Sequence, residues 1–107
     1  DVMVLGLGED GHTASLFPGT SAATVRDRAV TVGVGNGLER ISLTAPVLSA
    51  ARQVIVLVSG AAKAQALQRL LDPNESAERT PAKLVQPQSP VLVLADAAAA
   101  GGLAAPG

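Results

Sequence analysis

Three short runs of branched apolar residues, Val2-Met3-Val4-Leu5-Gly6-Leu7, Gln53–Val58 and Val91–Ala95, constrain this 107-residue chain more than any other feature. None alternates apolar with polar residues, so each is expected to be a strand buried on both faces. Helical segments separate them. A turn at Ser59-Gly60 leads into about eleven helical residues ending near Leu71, where Asp72-Pro73-Asn74 stops the helix. Thr44 reads as an N-cap with Pro46 in the first turn of a short helix to about Ala51. Pro81–Val85 suggests a further short helix, and Asp96 is placed to cap a turn over Ala97–Ala100. A second strand is expected over Ala29–Val34, ended by Gly33, Gly35 and Gly37, with a short apolar segment at Ile41–Leu43. Strands alternating with helices predict an α/β domain with a largely parallel sheet flanked by helices. Sites in such sheets lie outside the carboxyl ends of the strands.

Composition narrows the chemistry. Hydrophobic residues make up 48% and charged residues 16%, which excludes a disordered chain. The apolar runs are far shorter than the roughly 20 residues needed to span a bilayer, so no membrane partner is expected. A net charge of −1 lacks the basic footprint of a nucleic-acid binder. With no cysteine there is no disulfide, thiol nucleophile or zinc–thiolate site. His12 is the only histidine, so a multi-histidine metal site is excluded and no metal is expected. Phe17 is the only aromatic residue, leaving the core to Val, Leu, Ile and twenty alanines. Phe17 itself is assigned to a loop. A strand at residue 2, directly after Asp1, reads as a chain cut inside a domain.

Four features could carry chemistry. Gly6-Leu7-Gly8-Glu9-Asp10-Gly11 fits the dinucleotide fingerprint, but Pro18-Gly19 follows too soon for the long helix that a pyrophosphate site needs. Asp10-Gly11-His12 could be an oriented base, with the carboxylate fixing the imidazole tautomer and Gly11 letting the backbone turn. Thr13 and Ser15 are near enough to be considered as nucleophiles, and an activated water serves equally well. The plainer reading is a surface histidine, with Asp10 capping the next helical turn. Lys63 falls in the first turn of its helix, on the stripe of Leu67 and Leu70, where a cation is expected if an anion sits at the helix N-terminus. It could equally be a lysine extending past the sheet into solvent. Arg40 gains interest only in company with Lys63, as a second anion ligand. Arg26, Arg28, Arg52, Arg69 and Arg79 read as solvated, and Glu9 has no further support as a paired carboxylate.

The stretch Gly6-Leu7-Gly8-Glu9-Asp10-Gly11-His12-Thr13-Ala14-Ser15-Leu16-Phe17-Pro18-Gly19 resembles the signature loop of the 6-phosphogluconolactonase family. Arg40-Ile41-Ser42-Leu43-Thr44, Val56–Lys63 and Leu92–Asp96 resemble further segments of that family in the same order. The sister family of glucosamine-6-phosphate deaminases shares the Asp-Gly-His core but continues with an Asn-Glu-Pro stretch. Here Ser15-Leu16-Phe17-Pro18 supplies no acid.

The resemblance implies a Rossmann-like fold and hydrolysis of 6-phospho-D-glucono-1,5-lactone to 6-phospho-D-gluconate in the oxidative pentose phosphate pathway. It implies no cofactor and a cytoplasmic location. His12 would be the base that activates water and Asp10 its orienting partner. Lys63 and Arg40 would bind the phosphate, and Gly6, Gly8 and Gly11 would shape the loop. Family members are longer, with a phosphate-binding Gly-Gly-Ser/Thr loop in their amino-terminal half. The chain is therefore expected to be the carboxyl-terminal part of one domain, inactive alone, with 101–107 a flexible tail. The alternatives are an amino-sugar-phosphate isomerase and a sugar-phosphate-binding module without catalysis. The oriented Asp10/His12 pair weighs against the last, since binding alone needs no base.

Overall fold

The computed structural model describes residues 1–35 and 37–103. In chain order it contains β1 (Val2–Gly6), β2 (Val30–Gly35), β3 (Leu38–Leu43), helix α1 (Ala45–Ser49), β4 (Gln53–Val58), helix α2 (Ala64–Leu71) and β5 (Leu92–Ala95). Single 3₁₀ turns occur at Ser21–Thr24, Ala61–Lys63, Pro81–Leu84 and Ala99–Gly102. The expected parallel sheet has the order β1-β4-β5, with Met3 opposite Val54 and Ile55 opposite Leu92. Its three carboxyl ends, at Gly6, Val58 and Ala95, lie side by side.

One face of this sheet carries the core. Leu5, Val54, Val56 and Val58 point into it, with Met3 and Val93 half-buried beside them, and they meet Leu48 of α1 and Ala66 and Leu67 of α2. Fully burying a side chain such as Val54 or Leu67 stabilises the fold by about 1.5–3 kcal/mol. The other face departs from the expectation of strands buried on both sides. Val2, Val4, Leu57, Leu92 and Leu94 stand exposed on it. The sequence pattern records a strand built for two covered faces, and the described residues cover one.

The glycine-rich middle of the chain folds differently from expected. Gly33 does not end the strand but lies inside β2, and Gly35 is its last residue. This strand pairs antiparallel with β3 in a separate two-stranded sheet, so Ile41–Leu43 becomes the end of a hairpin. Gly37, at φ 77, sits in the turn between the strands.

The helices are also shorter than the sequence suggests. The eleven-residue helix divides into a 3₁₀ turn, Ala61–Lys63, and the eight residues of α2, so Lys63 closes the first and caps the second. Asp72 is extended (φ −78, ψ 116), as the residue before Pro73 must be, and the helix stops there. The Lys83 ammonium donates to the carbonyls of Leu70 (3.3 Å) and Asp72 (2.6 Å) at that end. Thr44 takes the N-cap position of α1, but its hydroxyl donates to the Arg28 carbonyl (2.8 Å) and so ties α1 to the start of the hairpin. Gly101 lies in the last 3₁₀ turn and Leu103 packs on the core, so the packed chain reaches into the stretch expected as a tail. Residues 104–107 of that tail lie outside the described residues. Among the described residues, no helix is long and apolar enough to cross a membrane.

Candidate functional site

The loop leaving β1 folds back on itself. The Gly8 amide donates to the His12 carbonyl (2.8 Å) and the Gly11 amide to the Gly8 carbonyl (2.9 Å). Gly11 has φ 89, a left-handed conformation that a side chain would strain, and its carbonyl accepts from Ala82 (3.1 Å). A Cβ at Gly8 would overlap the His12 ring and approach Asp10 Oδ1 to 2.9 Å, so glycine there is what lets the imidazole fold over the loop. Gly6 behaves differently: a Cβ there meets nothing within 4 Å, and its carbonyl accepts from the Thr13 hydroxyl (2.8 Å). No helix follows Gly11 until the 3₁₀ turn at Ser21, which removes both the dinucleotide reading and the reading of Asp10 as a helix cap.

Asp10 instead holds His12 twice. Its Oδ1 lies 2.6 Å from His12 Nδ1 and accepts the His12 amide at 3.1 Å. Partial burial works against the charge on Asp10, but the hydrogen bonds from the His12 ring and amide and the nearby ring charge outweigh it. Its pKa is held below the ordinary carboxylate value. Assigning the Nδ1 proton to this bond leaves the Nε2 lone pair as the acceptor. Among the described residues no hydrogen bond engages Nε2. The imidazole is 26% exposed, so solvent reaches it.

The side chains on either side of Ala14 are packed. Thr13 is buried and bonded to Gly6, while Ser15 is buried with its amide donating to Ser42 Oγ (3.0 Å). Ala14 takes φ 50, and the tight turn around it, closed by Leu16 N–H to the Thr13 carbonyl (3.0 Å), drives Leu16 and Phe17 into the interior.

Lys63 arrives from the neighbouring strand. It lines an open cleft of about 370 Å³ with Gly6, Gly8, His12 and Thr13, at the carboxyl end of the sheet. Asp96, just past β5, secures the turn before it. Its carboxylate accepts from the Ser59 hydroxyl (2.9 Å) and the Gly60 amide (3.1 Å), while the Ala99 amide donates at 2.8 Å. These bonds, that from Ala99 foremost, lower the Asp96 pKa. The sequence offered Asp96 only as a helix cap, because a clamp across two strand ends has no local spacing to betray it.

Arg40 does not line the cleft. It projects from β3 opposite Gly33, and its guanidinium carbon lies 5.7 Å from the centroid of the Phe17 ring. Phe17 in turn stacks on His12, with centroids 4.4 Å apart and planes at 34°. Phe17 is 4% exposed, so the residue assigned to a loop is a packed one. Glu9 is exposed and takes no part. Among the described residues no cluster of three or more acidic, histidine or cysteine side chains is placed to hold a metal ion. A separate apolar cavity of about 270 Å³, bounded by Leu5, Val54, Val56 and Val85, brings no pair of titratable groups together.

Residues 1–94 match the family described as glucosamine-6-phosphate isomerases/6-phosphogluconolactonase. The chain belongs to this family. Among family relatives it is similar to the 6-phosphogluconolactonase of a Nostoc strain, at 48% identity over 96% of this chain and 43% of the relative. It is 47% identical to that of a Synechocystis strain over 90% of this chain and 40% of the relative. Its fold is similar to the crystal structure of 6-phosphogluconolactonase from Leishmania guyanensis, with a TM-score of 0.84 and 30% identity over 98% of this chain and 42% of that one. The chain thus spans about two fifths of the length of these family members.

Proposed function

We propose that the protein containing this chain hydrolyses 6-phospho-D-glucono-1,5-lactone to 6-phospho-D-gluconate. The reading rests on one observation: the imidazole of an Asp10–His12 pair and the Lys63 ammonium line the same cleft at the carboxyl end of the sheet. His12 Nε2 accepts a proton from a water whose oxygen attacks the C1 carbonyl. The tetrahedral intermediate expels the ring oxygen, which takes that proton from the imidazolium, and the product is the open-chain acid. Asp10 keeps the acceptor nitrogen directed at the water and stabilises the imidazolium. Lys63, with Arg40 at the margin, binds the phosphate, and this remote contact aligns C1 with the water. A base of this kind supplies about 10²–10⁴-fold.

The rest of the domain completes the site in this reading. Val2, Val4, Leu57, Leu92 and Leu94 form the exposed apolar face on which it packs, so the chain alone is expected to be inactive. The activity test is the full protein supplied in turn with the phosphorylated lactone and with glucosamine 6-phosphate. Acid release from the lactone alone supports the lactonase. Ammonia release from the amino sugar identifies the isomerase instead, a result that Ser15-Leu16-Phe17-Pro18, without an acid, argues against. Binding of 6-phosphogluconate with neither turnover identifies a binding module.

A further inference from the structure

We propose that Phe17 is a positioning residue for this reaction, one ring that sets both the plane of the base and the place of the outlying arginine. The inference rests on the lactonase reading for the roles of His12 and Arg40, and on the packing alone for their coupling. An imidazole held only through Nδ1 can rock about that bond and sweep Nε2 across the cleft. Here a second restraint acts on its face, the Phe17 ring at 4.4 Å, so Asp10 fixes the edge of the imidazole and Phe17 its tilt. The same ring carries the Arg40 guanidinium at 5.7 Å, within the range of a cation–π contact. It also favours the imidazolium that forms when His12 takes a proton.

The hairpin is shaped for this ring. Gly33 and Gly35 share one face of β2, with Arg40 opposite Gly33 on the same face. A Cβ at Gly35 would overlap the tip of the Phe17 ring, and one at Gly33 would overlap the Ser15 carbonyl. Two missing side chains thus form a notch in which the loop and its ring are seated. Base and arginine belong to separate elements, and Phe17 is the body between them.

The full protein tests this by NMR of the His12 ring protons, assigned by comparison with His12→Gln. The wild-type resonances should be displaced upfield by the ring current of Phe17. That displacement should vanish in Phe17→Leu and in Gly35→Ala, which pushes the ring aside without altering it. On the lactone, both variants should lose about ten- to a hundredfold in kcat/KM, with kcat and KM both affected because base and arginine move together. Should Phe17→Leu fail to fold, Phe17→Met, of similar volume but without a ring, takes its place. Undisplaced His12 resonances in the wild type, or resonances that stay put in the variants, overturn the proposal. A wild type that ignores the lactone overturns the reaction assignment, while the resonances still decide the packing.

Discussion

The two segments that meet in the cleft are held in different ways. The loop from Gly6 to Phe17 is pinned along its length: by its own amides at Gly8 and Gly11, by Thr13 to Gly6, by Ser15 to Ser42, by Ala82 to Gly11, and by the burial of Leu16 and Phe17. The turn from Ser59 to Lys63 is attached through one carboxylate, Asp96, and leads to a flexible side chain. The difference matches what each must do. A base has to place one lone pair on one water molecule, whereas an ammonium has only to reach a phosphate.

On that contrast, substitutions of Asp10 and His12 in the pinned loop act mainly on kcat and those around Lys63 mainly on KM. The largest effect is expected for His12→Gln, a fall in kcat on the lactone of about 10²–10⁴-fold with KM little changed. Asp10→Asn should follow, lowering kcat about ten- to a hundredfold through loss of a charge-assisted bond to the imidazole. Steady-state rates for Asp10→Asn equal to wild type would show that the loop orients the base unaided. Lys63→Ala should raise KM about tenfold. Asp96→Asn, which keeps one acceptor oxygen, should raise KM only a few-fold.

Acid sharpens the last of these. The folded pKa of Asp96 lies below its unfolded value, so its contribution to stability is present above the unfolded pKa and lost as pH falls through the folded one. Melting temperatures from pH 7 downward should therefore decline less steeply for Asp96→Asn below the ordinary carboxylate range. Parallel curves for the two proteins would dissociate Asp96 from the turn it is argued to hold.

The parts of the site that the sequence made legible are those in which short spacing carries the chemistry. Asp10, Gly11 and His12 are adjacent, and their pairing follows from local backbone geometry. Gln53–Val58 was legible for a similar reason, since an unbroken branched run has few other uses. The role of Gly33 and Gly35 was not: a glycine in a strand reads locally as a stop, which holds for Gly35 alone, and only the Ser15 carbonyl and the Phe17 ring, from a distant part of the chain, show that the missing side chains are a notch. Phe17 suffered the same fate, because a lone aromatic in a glycine-rich loop has no periodicity to mark it as buried. The strands signalled two apolar faces correctly, but hydrophobicity alone could not say that one of them stands uncovered within these residues.

The separation of base from anchor is tested most directly by measuring kcat and KM for His12→Gln and Lys63→Ala side by side, in the full protein, on 6-phospho-D-glucono-1,5-lactone. The expected result is a large fall in kcat for the first and a rise in KM for the second, each with the other parameter little moved. Near wild-type turnover by His12→Gln, or the same pattern in both variants, would contradict it.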